Sequence, residues 1–324
     1  MWQQVKKIIQ QHKRFVITSH VGPDGDALGS ELGLSYFLKS LGKEATILNA
    51  TPPAKNFSFM AQDRAVQTYN EKRDRKKIDQ ADAVFIVDIS EWKRLGIVGQ
   101  QIQKSQAKTI CIDHHIALKK LFDYQVIDNK AGSTGELIYR LIKEMKKKLN
   151  PKIAEPLYIA ALTDTGSFHY ANTSPATHLM VAELLTYGVN PLKCFNQIYE
   201  HHSLEHFRLL GQVLLNAKLE CGGKLAWAAI DKKMVQKANA QMEETEGFVE
   251  MLRTIETVDV SLLFREESQN KTRVSLRSKE SANVYQVAHK LGGGGHKRAA
   301  GVTLNLPLKM SITKVLTEAR KCFN

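Results

Sequence analysis

Short runs rich in valine, isoleucine and phenylalanine recur through the first third of the chain: RFVITS, EATILN, ADAVFIVD and AKTICID. Segments of helical period lie between them. Nearly continuous apolar runs of this kind predict strands covered on both faces by helices, and so a mainly parallel α/β sheet. Ligand groups in such a sheet gather at the carboxyl ends of the strands. The spacing predicts a helix from about Ala27 to Leu41 and another from about Thr134 to Lys148. The second opens with Ser133-Thr134-Gly135-Glu136, which reads as a capping box. Pro151 separates it from a helix at about Ile153 to Leu162, which delivers Thr163-Asp164-Thr165-Gly166, and a further helix follows Pro175 as far as Tyr187.

Gly188 closes this first pattern. Residues 189–211 read as a helical linker, and after Cys221-Gly222-Gly223 the β pattern returns with KLAWAAID, VDVSLLFRE and TRVSLRS. The loop Gly292-Gly293-Gly294-Gly295-His296-Lys297-Arg298-Ala299-Ala300-Gly301 follows, then VTLNL and a last helix. A chain of 324 residues exceeds what one core usually supports. The expected layout is therefore an N-terminal domain over 1–188, with a mainly parallel sheet flanked by helices, and a smaller C-terminal α/β domain over 212–324.

The 46 Lys and Arg exceed the 33 Asp and Glu by 13, which favours polyanionic partners. The runs from Lys72 to Lys77 and from Lys143 to Lys148 carry much of that surplus and read as solvated helix faces. A hydrophobic share of 43% with 24% charged residues is that of a globular chain and excludes disordered and fibrous classes. The four cysteines form no C-x-x-C pair, which argues against a zinc knuckle or a disulfide framework and for reduced thiols in the cytoplasm. No stretch approaches the ~20 apolar residues a membrane span needs.

Four separated places put Asp or His just beyond an apolar run: His20-x-x-x-Asp24-x-Asp26, Asp88, Asp113-His114-His115 and Asp164. Taken singly, each is an ordinary cap, turn or surface pair. Together, in a chain order that an α/β sheet brings to one edge, they form a donor set for divalent cations, since carboxylate and imidazole suit ions such as manganese. Asp24, Asp26, Asp88 and Asp164 carry four negative charges, which two divalent ions would balance with the histidines neutral.

HVGPDGDALGS (His20 to Ser30), VDIS ending the strand at Asp88, the Asp113-His114-His115 triplet and TDTGSF (Thr163 to Phe168) resemble the four motifs of the DHH phosphoesterases. The terminal GGGGHKRAAG resembles the signature of the DHHA1 domain, and the pair is similar to the nanoRNase branch of that family. The resemblance implies a first cation on His20, Asp24 and Asp88, and a second on Asp26, Asp88, His114 and Asp164, with Asp88 shared. The expected ions are manganese, with magnesium or cobalt as alternatives. It implies that His115 faces the scissile phosphate as donor or acid and that Asp113 orients its histidine neighbours. It also implies two-metal activation of water for an in-line displacement at phosphorus.

In the second domain, Gly293, Gly294, Gly295, His296 and Arg298 are expected to cradle a phosphate, with Arg277 and, more loosely, Arg265 clamping it from neighbouring strands. The implied activity is hydrolysis of oligoribonucleotides of roughly two to five residues, together with removal of the 3′-phosphate of phosphoadenosine phosphate. Short RNAs, dinucleotides and that bisphosphate are the expected partners, a membrane is not, and a homodimer is an analogy. The alternatives are a hydrolase of linear signalling dinucleotides such as pApA and pGpG, a single-strand exonuclease, an inorganic pyrophosphatase, and a non-catalytic nucleotide sensor.

Overall fold

The computed structural model describes residues 2–116, 119–279, 282–295 and 297–323, and the chain divides into two compact units, 1–201 and 202–324. His296 therefore lies outside the described residues.

The first unit contains strands β1 (Arg14–Thr18), β2 (Glu44–Asn49), β3 (Val66–Thr68), β4 (Ala83–Val87), β5 (Lys108–Asp113) and β6 (Tyr124–Ile127). They form one sheet in the order β3-β2-β1-β4-β5-β6, and every pairing in it is parallel. The order reverses between β1 and β4, and a doubly wound sheet opens a crevice at that point beyond the strands' carboxyl ends. The helices are α1 (Gln3–Gln11), α2 (Gly25–Ser40), α3 (Glu71–Asp79), α4 (Gly96–Lys104), α5 (Thr134–Glu144), α6 (Pro151–Asp164), α7 (Pro175–Leu185) and α8 (Pro191–Tyr199). One face of the sheet packs its Phe15, Ile17, Phe85 and Ile112 with α2, α5 and α6, and the other packs Val16, Val84, Ile86 and Cys111 with α3 and α4. Helix α2 is buried almost all round, and Gly29 explains how closely it meets α6: a Cβ there would stand 2.4 Å from the Pro156 carbonyl.

Helix α5 ends at Glu144, short of the predicted Lys148, because Lys146 takes a left-handed φ of 53°. Only half of the expected capping box forms: Ser133 Oγ accepts from the Glu136 amide, but the Glu136 carboxylate accepts from Gly132 rather than from Ser133. The basic run from Lys72 lies on α3, where Arg73 and Lys77 neutralise the buried Asp74 at 2.6 and 2.9 Å.

The stretch read as a linker is shared between the two cores. Cys194 and Ile198 of α8 pack into the first unit, whereas Leu209 and Val213 of α9 (Leu204–Leu215) pack into the second. The second unit continues with β7 (Lys218–Glu220), β8 (Leu225–Ile230), α10 (Lys232–Ala238), α11 (Phe248–Arg253), β9 (Val260–Ser268), β10 (Lys271–Ser278), α12 (Val284–Lys290), β11 (Gly294–Gly295), β12 (Ala299–Leu304) and α13 (Leu308–Ala319). Its sheet order is β11-β12-β10-β9-β8-β7, antiparallel except where β8 runs beside β9. Among the described residues no helix is long and apolar enough to cross a membrane.

Candidate metal centre

His20 and Asp88 follow β1 and β4, the two strands that flank the reversal of order. His20 is buried, and its Nδ1 sits 3.1 Å from the Val21 carbonyl. With the proton on Nδ1, Nε2 is left as an acceptor, yet it faces Asp24 Oδ2 at 3.8 Å and Asp88 Oδ2 at 3.5 Å. Asp24 is the N-cap of α2, where its Oδ1 accepts from the Asp26 and Ala27 amides, so the same carboxylate caps the helix with one oxygen and offers the other.

Asp26, in the first turn of α2, is held by the opening turn of α5. The Thr134 amide donates to its Oδ2 at 2.7 Å, the Gly135 amide to its Oδ1 at 2.9 Å, and Ser30 Oγ adds a third bond at 3.2 Å. A helix N-terminus with free amides is a ready anion site, and here the anion is a side chain of the protein. Asp88 has a left-handed φ of 61°, its amide donates to the Ile112 carbonyl, and its Oδ1 accepts from Thr134 Oγ1 at 3.0 Å.

The triplet follows β5. Asp113 is fully buried; its Oδ1 accepts from the His115 amide at 3.0 Å and lies 2.7 Å from His115 Nδ1. Burial opposes its charge, but those contacts hold the carboxyl below its usual range. Asp113 therefore orients His115 only. His114 is oriented by the Ala131 carbonyl, 3.3 Å from its Nδ1, which corrects the expectation that Asp113 steers both histidines.

His114 Nε2 is buried and has no hydrogen-bond partner. It faces Asp164 Oδ2 at 3.4 Å, Asp26 Oδ2 at 3.7 Å and Asp88 Oδ1 at 3.7 Å. Asp164 ends α6, and Asn172 Nδ2 fixes its Oδ2 at 3.0 Å while also donating to the Gly132 carbonyl at 2.8 Å.

Three groupings bring donor atoms within 4.8 Å of one another: His20, Asp24 and Asp88; Asp26, His114 and Asp164; and Asp88, His114 and His115. Asp88 faces both sides, with Oδ2 toward His20 and Oδ1 toward His114. So many acceptors at such distances repel unless a cation or protons lie between them. In the metal-free protein protons serve: burial pushes Asp164 up to about 7 and raises Asp26 and Asp88. Burial works against a charge on His114, but Asp164, Asp26 and Asp88 around it lift it to about 9. An orphaned buried imidazole nitrogen aimed at three carboxylates is what a divalent cation fits, and the donors are the oxygen and nitrogen types that manganese and its neighbours accept.

In the second unit Gly294 and Gly295 pair with Gly301 and Ala300, so the expected open cradle is partly a short edge strand. Gly293 turns into it, its amide donating to the Ala288 carbonyl. Arg298 is exposed. Arg265 and Arg277 share one face, each opposite a neighbouring-strand residue, Arg273 and Ser261. Arg277 pairs with Glu250 at 2.7 Å, whereas Arg265 donates to Ser275 and Thr245 hydroxyls and keeps a buried Nε without a partner. Burial and the nearby Arg273 lower its pKa.

The chain matches the DHH family, N-terminal domain, over residues 14–161 and the DHHA1 domain over 222–324. It is 34% identical over 306 residues to the bifunctional oligoribonuclease and PAP phosphatase NrnA of Thermus thermophilus, covering 94% of this chain and 89% of that one. The chain belongs to the DHH phosphoesterase family. A second DHH relative, the enzyme of the same name from Bacillus subtilis, is 30% identical over 301 residues, covering 92% of this chain and 91% of its own. Among solved structures, an exopolyphosphatase-related protein of Bacteroides fragilis superimposes with a TM-score of 0.94 at 28% identity, over 98% of this chain and 95% of that one.

The DHH sequence motifs left out Thr134, Gly135 and Asn172, which hold the aspartates. Ser133-Thr134-Gly135-Glu136 was legible as a helix start, and its free amides are the signal that could have pointed to Asp26. Nothing local marks Asn172, whose partners lie eight and forty residues away.

Proposed function

We propose that this chain hydrolyses short oligoribonucleotides to mononucleotides and removes the 3′-phosphate of phosphoadenosine phosphate, working in the cytoplasm. The observation that carries the reading is His114 Nε2, buried and unpartnered, aimed at Asp26, Asp88 and Asp164 from three other stretches of a chain that matches relatives named for those two activities.

In this reading His20, Asp24 and Asp88 would hold one divalent ion, and Asp26, Asp88, His114 and Asp164 a second, with manganese preferred. Bound there, the ions would activate water and stabilise charge on the phosphoryl oxygens. The protein's own groups do the rest. The Val21 and Ala131 carbonyls fix the tautomers of His20 and His114 so that each offers Nε2 inward. The N-terminus of α5 neutralises part of the Asp26 charge and keeps its carboxylate from turning away. Asp113 accepts from the His115 amide and orients its ring through Nδ1, so that His115 would face the leaving oxygen as donor or acid. Gly293, Gly294, Gly295, His296, Arg298, Arg277 and Arg265 would bind phosphate and sugar, with Arg265 the better placed of the two strand arginines because its charge has hydroxyl partners where Arg277 has Glu250.

Purified protein with manganese is to be incubated with RNAs from dinucleotides to long strands, phosphoadenosine phosphate and pyrophosphate. Turnover of the short RNAs and of the bisphosphate is expected. Preference for long strands, or tight binding without turnover, would overturn the reading.

A further inference from the structure

Residues 131–135, which lead into the first turn of α5, reach every donor of the second proposed ion, directly or through Asn172. The Ala131 carbonyl meets His114 Nδ1, and the Gly132 carbonyl accepts from Asn172, whose side chain also holds the Asp164 carboxylate. The Thr134 and Gly135 amides bind Asp26, and Thr134 Oγ1 donates to Asp88. Asp26, Asp88, His114 and Asp164 come from separate stretches of the chain, so a shift of this one segment moves all of them relative to one another.

What holds the segment is the side chain that follows it. Glu136 is 1% exposed, and a buried carboxylate is costly unless it is paired and hydrogen-bonded. Its Oε2 accepts from the Gly132 amide at 3.0 Å and from Thr177 Oγ1 of α7 at 2.8 Å, and its Oε1 accepts from Arg140 Nη2, one turn along α5. Arg140 also donates to the Asp128 carboxylate at 2.7 Å, and the Asp128 carbonyl accepts from the Ala131 amide. Ala131 and Gly132 are thus clamped to α5 through one ion-pair network and to α7 through one hydroxyl. The clamp is close: a Cβ on Gly132 would stand 2.6 Å from Thr177 Oγ1 and 3.2 Å from Glu136 Oε2.

We propose that Glu136 is a positioning residue: by clamping 131–135 it sets the spacing of Asp26, Asp88, His114 and Asp164, and with it the affinity of the second ion's site. The inference rests on the proposed function and goes beyond it, to a side chain that acts on the donors only through the backbone they lean on. His20 and Asp24 are held by other means, through the Val21 carbonyl and the Asp26 and Ala27 amides. Release of the clamp is therefore felt at the second ion more than at the first. A carboxylate that only stabilised the fold would make no such distinction.

The test compares wild type with Glu136→Ala, Glu136→Gln and, as a control for stability, Leu141→Ala, which empties core volume on the same helix away from the clamp. Calorimetric titration of the metal-free protein with manganese should resolve two binding events, and His114→Ala marks the one that belongs to the second ion. Glu136→Ala is expected to weaken that event about 10- to 100-fold and the other far less. Glu136→Gln keeps an acceptor for Gly132 and Thr177 and should recover most of the loss, while Leu141→Ala should bind as wild type does. On a dinucleotide, kcat of Glu136→Ala should fall with KM unchanged and return as manganese is raised. In the metal-free protein, hydrogen exchange at the Gly132, Thr134 and Gly135 amides should quicken relative to the interior of α5 in Glu136→Ala and not in Leu141→Ala. Where Glu136→Ala does not fold, Arg140→Met removes the Oε1 partner from a half-exposed position and carries the same comparison. Equal weakening of both events, or Glu136→Ala matching Leu141→Ala in titration and exchange, would overturn the clamp. If wild type binds no manganese or turns over no substrate, the proposed function fails, and exchange at these amides decides the clamp separately.

Discussion

Asp88 shows how much one residue can be asked to do. Its left-handed backbone aims the carboxylate so that one oxygen faces His20 and the other His114, and Thr134 pins the second of these. Aspartate and asparagine tolerate that φ better than other side chains, so Asp88→Asn keeps the shape while removing the charge. That variant is expected to fold with unchanged circular dichroism and to lose activity by at least about 100-fold. Calorimetric titration with manganese should show weakened binding. Near-normal turnover would sink the shared-ligand role. The residue types at this centre were legible in the sequence, because Asp and His beyond apolar runs are visible in one dimension. Their supports were not: Ala131 acts through its carbonyl and Gly135 through its amide, and a backbone atom leaves no trace in a residue's identity.

Elements bring those residues together. Helix α2 starts where α6 ends, with Gly25 packed against Thr163, so Asp24 and Asp26 at one N-terminus meet Asp164 at the other's C-terminus. Gly29 sets the spacing. Gly29→Val inserts atoms where Pro156 and Ala160 already stand, which should cost at least about 1–3 kcal/mol and spread the aspartates apart. A thermal melt should show the lower Tm, and manganese should recover less of it than in wild type; an unchanged melt would mean that the helices can part freely. EATILN was legible to the residue as β2 because it is an apolar run, but β3 (VQT) and β6 (YQVI) are short and half polar and carry no such signal. Helical period alone does not say which core a helix packs on, and within 189–211 Cys194 and Ile198 join one core while Leu209 and Val213 join the other.

At the scale of the whole molecule, the buried charges tie stability to pH and to metal. Burial holds Asp164 up to about 7 and Glu31 up to about 7, raises Asp26 and Asp88, and the carboxylates around His114 lift it to about 9. Each of these groups binds its proton more tightly folded than unfolded. The folded metal-free chain therefore holds the extra protons between about pH 4 and pH 9, and its stability should fall as pH rises through that window. Asp74, Asp82 and Asp128, held below the carboxylate range, act the other way, and what they contribute is lost only as pH drops below about 4. With EDTA, Tm should decline from about pH 5 to pH 8.5; with manganese the gain in Tm should grow over the same range, because cations replace protons on deprotonated ligands. A Tm that rises with pH in EDTA would contradict the crowding of carboxylates.

The sequence by itself determined the apolar strands β1, β2, β4 and β5, and the chemical types of the candidate metal-binding set, since periodicity and residue identity are local properties that each stretch carries alone. Only the tertiary structure decided that the order of strands reverses between β1 and β4, that α5 presents its amides to Asp26, and that Asn172 returns to Asp164. Those are distances between parts of the chain up to 109 residues apart, and a distance of that kind is fixed by which apolar faces find each other in the core, where no single segment contains the answer.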